Sequence, residues 1–131
     1  MIKVVDNDSV TVMVYPEKKI VHHQFHKFVY GEVFKKAFLD AGDAFVKYGC
    51  TKWLSDDRGN NALKQDDIVW AQENWEGRLF KAGWKYWALV MPEKVTGQLS
   101  MKKIIDHYNS HGLTVKTFTT PEDAMAWLEK Q

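Results

Sequence analysis

The chain has 131 residues with 18 Lys and Arg against 17 Asp and Glu, a formal charge of +1, 45% hydrophobic residues, 27% charged residues and one cysteine. That length suits one compact domain that folds without disulfides or structural metal, and the composition excludes a disordered or fibrous chain. Near-neutrality argues against a nucleic-acid binder, the lone cysteine against a disulfide framework or cysteine-based zinc cluster, and the longest strong apolar run, residues 87–91, is far short of the ~18 residues that span a bilayer. With no charged-then-apolar leader pattern at the amino terminus, a cytoplasmic location is expected.

Residues 1–27 read as strands. Val4 and Val5 lead into the turn-forming Asp6-Asn7-Asp8-Ser9, residues 10–15 (VTVMVY) are β-branched and aromatic, and Pro16-Glu17-Lys18 turns the chain before residues 20–25 resume extended structure. Connections this short cannot hold a crossover helix, so antiparallel hairpins are expected. From Gly31 the apolar period changes from two to 3.6. Phe34, Phe38, Ala41, Phe45 and Tyr48 make one stripe of a long helix, with Gly49 as its left-handed cap.

Thr51-Lys52-Trp53-Leu54-Ser55 is a short strand that runs into the loop signal Asp56-Asp57-Arg58-Gly59-Asn60-Asn61. Asp66 and Asp67 open a second helix with the stripe Ile68, Ala71, Trp75 and Leu79, closed by Gly83. Residues 84–91 (WKYWALVM) have the nearly continuous apolar character of a strand covered on both faces. Residues 92–97 read as loop, Met101, Ile104, Ile105 and Tyr108 mark a third helix ending at Gly112, and residues 113–118 form a last strand. Thr120-Pro121-Glu122-Asp123 starts a terminal helix whose Ala124, Trp127 and Leu128 face inward. The order βββ-α-β-α-β-α-β-α predicts a single α/β domain over residues 1–131, with an antiparallel start, parallel strands after it, and helices packed on one mixed sheet.

Lys52-Trp53-Leu54-Ser55-Asp56, Asp67-x-x-Trp70, Ala88-Leu89-Val90, Phe118 and Ala124-x-x-Trp127-Leu128 resemble, in order and spacing, the STAS domain. The resemblance is narrower to the SpoIIAA-like group, also described as STAS-like or CRAL-TRIO-like, and covers nearly the whole chain. It implies a bacterial, non-catalytic interaction or regulatory module of the anti-sigma-factor-antagonist type, docking a protein partner through residues 56–70. In those antagonists a serine at the start of the second helix is phosphorylated. The corresponding Gln65-Asp66-Asp67-Ile68-Val69 has no hydroxyl, and the single charge of Asp67 falls short of a phosphate's, so the phospho-switch is not carried over. The resemblance also permits an alternative role, a lipid- or nucleotide-binding sensor with an apolar pocket between the sheet and the aromatic-rich helices.

Asp56, Asp57, Arg58, Asp66, Asp67 and Trp70 are therefore the candidate partner- or ligand-binding residues. Asp56 and Asp57 raise a third reading, a divalent-metal enzyme working in the crevice beyond the carboxyl ends of the strands. No Asp-x-Asp nucleophile or Gly-rich phosphate loop accompanies them, and caps and turns select the same residue types for local reasons. His107 and His111, four apart on a helix, share a face that can chelate a metal, but the metalloprotease His-Glu-x-x-His pattern is missing. Histidines in a last turn also complement the helix dipole. Alternation sends His22 and His26 to one strand face with Gln24, and His23 to the other with Val21 and Phe25. No nucleophile motif pairs with them, and Cys50 reads as a small buried residue. No catalytic residue, metal or cofactor is predicted. Trp53, Trp75, Trp87 and Trp127 fall on inward faces, while Trp70 or Trp84 is the candidate exposed hot spot. An edge strand of the first meander offers a route to a homodimer.

Overall fold

The computed structural model describes residues 1–60 and 62–131, so the loop expected at Asn61 lies outside the described residues. Among the described residues the chain forms β1 (Ile2–Asp6), β2 (Val10–Tyr15), β3 (Ile20–Phe25), α1 (Gly31–Lys47), β4 (Lys52–Asp56), α2 (Gln65–Asn74), α3 (Glu76–Ala82), β5 (Tyr86–Val90), α4 (Val95–Ser110), β6 (Thr114–Phe118) and α5 (Pro121–Glu129). The strands make one mixed sheet in the order β1-β2-β3-β4-β5-β6. The first turn is closed by Asn7, whose side-chain oxygen accepts from the Ser9 and Val10 N–H groups at 2.8 and 3.0 Å. The second places Lys19 at a left-handed φ of 61°. Both connections are hairpins, and β1–β2–β3 is accordingly antiparallel. A register shift between Lys3 and Val5 blunts the outer edge at β1.

β3 to β6 pair in parallel, each strand reached from the last through helix. The strand order never reverses. Crossovers of one hand that step in one direction all land on the same face of a sheet. One core therefore joins Val21, Phe25, Trp53, Trp87 and Leu89 of the sheet to Phe34, Phe38 and Phe45 of α1, Leu79 of α3, and Met101, Ile104 and Tyr108 of α4. α5 follows the last strand and covers the opposite face, where Ala124 and Leu128 meet Ile20, Leu54, Ala88 and Val90. The Thr120 hydroxyl caps α5 by accepting from the Asp123 N–H at 3.2 Å, with Pro121 in its first turn. β5, interior to the sheet and covered on both sides, is buried from Trp87 to Val90.

Three details differ from the sequence expectation. The second helix is two: the chain breaks at Trp75 (φ −124°, ψ −53°), where the indole N–H donates to the Phe38 carbonyl of α1 at 2.8 Å. The apolar stripe runs through the break because α2 and α3 both face the same core. α4 starts at Val95, two residues before the end of the expected loop, and its early Val95 and Leu99 are exposed, so periodicity does not mark the first turn. Trp84 is buried against Phe45, Trp53 and Trp87, and Trp70 is half-buried, edge-on to Phe34 at 6.3 Å between ring centroids. Among the described residues no helix is long and apolar enough to cross a membrane.

Candidate functional site

Between the central strands and the helices of the larger core lies a cavity of about 50 Å³. Trp53, Trp75, Trp84, Trp87, Phe34, Phe38 and Tyr108 wall it, and His23, Ser55 and Asp57 supply polar groups. Interiors packed at crystal-like density leave few voids larger than one water, and this one is several times that threshold. Leu63, Ile68, Gln72 and Ile104 line the cavity and also an outer cleft of about 450 Å³ that extends to Leu99 and Lys103. The two volumes therefore adjoin along those four side chains.

Strand alternation and register place the polar groups. Val21, His23 and Phe25 share the helix-covered face of β3, with His23 beside Ser55 of β4. Asp57 is one residue past β4, but its N–H still donates to the Val90 carbonyl at 3.1 Å, which continues the alternation and keeps its side chain on the face of Ser55. Gly59 then lies against the end of β3, where a Cβ would run into the Phe25 carbonyl oxygen.

Hydrogen bonding sets the state of the buried histidine. The Trp53 indole N–H donates to His23 Nδ1 at 2.9 Å, and His23 Nε2 is 2.9 Å from Asp57 Oδ1. An indole only donates, so Nδ1 accepts, the ring proton sits on Nε2, and Nε2–H donates to Asp57. Phe25 and Phe38 hold the imidazole at centroid distances of 4.5 and 5.2 Å. The Trp87 N–H donates to Ser55 Oγ at 2.7 Å and the Trp84 N–H to the Tyr86 carbonyl at 3.0 Å. With Trp75 on Phe38, the indole N–H of every cavity-lining tryptophan is engaged within the protein. Burial first, and the Glu76 carboxylate second, push the Tyr108 phenol well above its ordinary value, so it stays protonated.

The sequence-derived candidates divide sharply. Asp56, Asp57 and Asp67 are 2%, 3% and 2% exposed. Asp56 accepts from Arg58 Nε and Nη2, both at 2.9 Å, and this pairing raises the guanidinium's affinity for its proton. Asp67 accepts the Gly31 N–H with both oxygens, at 3.1 and 3.2 Å, and so ties the start of α1 to the start of α2. Asp66 is exposed and Trp70 half-buried. Only Asp57 of the six lines the cavity. Asp56 and Asp57 diverge to opposite faces, one to Arg58 and the other to His23, and do not converge on a common point. Among the described residues no group of three or more His, Cys, Asp and Glu is placed to hold a metal ion.

His107 Nε2 meets the buried Glu76 carboxylate at 3.0 Å, and His111 Nδ1 bonds the His107 carbonyl at 2.8 Å, as a last-turn histidine does. Cys50 is buried, and burial pushes its thiol up to about 11, away from thiolate reactivity. His26 lies beyond β3, exposed, against the Thr11 hydroxyl at 2.7 Å. His23 and Ser55 were absent from the sequence-derived set. The clue to them was two polar residues on strand faces otherwise apolar, which the period-two pattern contains. Compared with protein-family models, curated protein sequences and solved structures, the chain matches none.

Proposed function

We propose that this protein is a non-catalytic binding domain for a small, mainly apolar molecule, received in the aromatic cavity above His23, Ser55 and Asp57. One observation carries the reading: a void walled by four tryptophans, with a few buried polar groups, adjoins an outer cleft with which it shares four lining side chains among the described residues. Apolar pockets with a small number of placed polar groups are the usual form of a ligand site. Recognition without turnover agrees with the hydrogen bonds. Both nitrogens of His23 are occupied, so neither is free to take a proton from a nucleophile, and Ser55 Oγ is held by Trp87 rather than by a base. The test is a titration with ethanol and ethylammonium, followed by tryptophan emission. At least one gives a saturable change in the native protein, and the change is lost in Ala71→Leu, which fills the cavity from α2 while circular dichroism confirms the fold. Absence of a saturable response to both removes the reading.

A second reading, the protein-docking role implied by the STAS-like resemblance, draws on a separate surface. Phe28 and Tyr30 stack at 5.1 Å and are 44% and 51% exposed, with Val33 and Val69 exposed nearby because Asp67 joins Gly31 to α2. Exposed aromatic clusters of this kind mark interaction sites. A pull-down in which Tyr30→Ser and Val69→Asp leave partner recovery unchanged eliminates this surface.

A further inference from the structure

We infer that the molecule this cavity receives is an organic cation, a small ammonium ion with short alkyl substituents. The inference rests on the binding reading above and adds the charge of the ligand. It follows from counting what each polar group of the cavity still has to offer. The N–H groups of Trp53, Trp75, Trp84 and Trp87 are all spent on the protein, so the indoles present carbon and π surface with no donor. His23 is spent at both nitrogens. Ser55 Oγ accepts from Trp87 and keeps one O–H to give. Asp57 uses Oδ1 on His23, and Oδ2, with no protein partner among the described residues, keeps accessible surface open to an entering group.

The charge is equally one-sided. While Nδ1 accepts from Trp53, the imidazole is neutral and does not balance the Asp57 carboxylate. Arg58 is committed to Asp56 on the other face, and among the described residues no Lys or Arg is paired with Asp57. The Asp57 carboxylate, 3% exposed as a residue but with Oδ2 still accessible, is therefore available to a cation that enters. An ammonium N–H completes Asp57 Oδ2, and the aromatic quadrupoles attract the same positive charge. A neutral molecule of equal shape leaves the carboxylate uncompensated, and an anion meets it as a like charge. A bare metal ion needs several hard donors, whereas the cavity offers a single carboxylate.

Ethylammonium and ethanol have the same heavy-atom skeleton and differ in charge, so their ranking isolates the claim. In calorimetry and tryptophan-emission titrations of the native protein, ethylammonium is expected to bind about tenfold or more tightly than ethanol. Asp57→Asn should erase that preference, bringing the affinity for ethylammonium down to that for ethanol. Where Asp57→Asn does not fold, the ranking in the native protein decides alone. Equal affinity, or tighter binding of the alcohol, overturns the cation and leaves the binding reading in place. Binding of neither ligand overturns both.

Discussion

His22 and His23 are adjacent in β3 and meet opposite environments. His23 has a partner on each nitrogen. His22, on the α5 side of the sheet, has both nitrogens buried without a partner among the described residues. Burial, then the neighbouring His23, lowers its pKa from 6.5 to about 4, with Asp56 pulling it up and Arg58 down. Because the folded value is the lower one, between those two pH values the unfolded chain takes a proton that the folded chain refuses. Stability is therefore full above the unfolded value and falls as pH drops through the window, by up to about 3 kcal/mol. Urea denaturation at pH 7 and pH 5 should show this loss in the native protein and a clearly smaller one in His22→Leu, which gives up no hydrogen bond. An unchanged loss in the variant contradicts the assignment. Asp67 makes a comparable residue-scale case. Asp67→Ala strands the Gly31 N–H and should cost about 1–3 kcal/mol, whereas Asp67→Asn keeps an acceptor oxygen and should cost less. Equal losses in denaturant midpoint would show that the carboxylate acts by something other than accepting that bond.

At the scale of elements, α1 and the break between α2 and α3 fit together through one glycine. A Cβ on Gly42 would stand 3.1 Å from Trp75 Nε1 and 3.4 Å from Leu79 Cδ1, both buried. Gly77, inside α3, has nothing within 4 Å of the same position. Both are helical, so alanine gains roughly 0.5–1 kcal/mol of backbone entropy at either site. Only Gly42→Ala also crowds the core, which costs about 1–3 kcal/mol. Thermal melts should therefore move in opposite directions, Gly77→Ala up and Gly42→Ala down, and a shared direction refutes this packing. The same elements show what the sequence makes legible. The α1 stripe, the covered β5 and the capped α5 are local periodicities and read directly. The kink at Trp75 is not local, because it depends on a carbonyl 37 positions earlier. The acidic candidates fail to show their burial for the same reason. Asp57 and Asp67 look like loop and cap residues until the fold supplies partners 34 and 36 positions away.

For the whole molecule, the sequential strand order is what creates the chamber. α1, α2–α3 and α4 share one face of four parallel strands, and large aromatic side chains hold them apart from it. The crevice of a doubly wound sheet forms where strand order reverses. This sheet has no such reversal, and its aromatic cavity lies beneath the helices instead of beyond the acidic loop of Asp56 to Arg58. The α5 face holds a separate apolar cluster built on Leu54, Ala88 and Leu128. Filling the chamber should therefore perturb a defined subset of the six tryptophans. Intermolecular nuclear Overhauser effects, measured with whichever of ethylammonium and ethanol binds more tightly, report that subset directly. Contacts from the ligand to the indole protons of Trp53, Trp75, Trp84 and Trp87 and to the Met101 methyl are the predicted result. Contacts confined to Trp70, Trp127 or the Phe28–Tyr30 stack would contradict it.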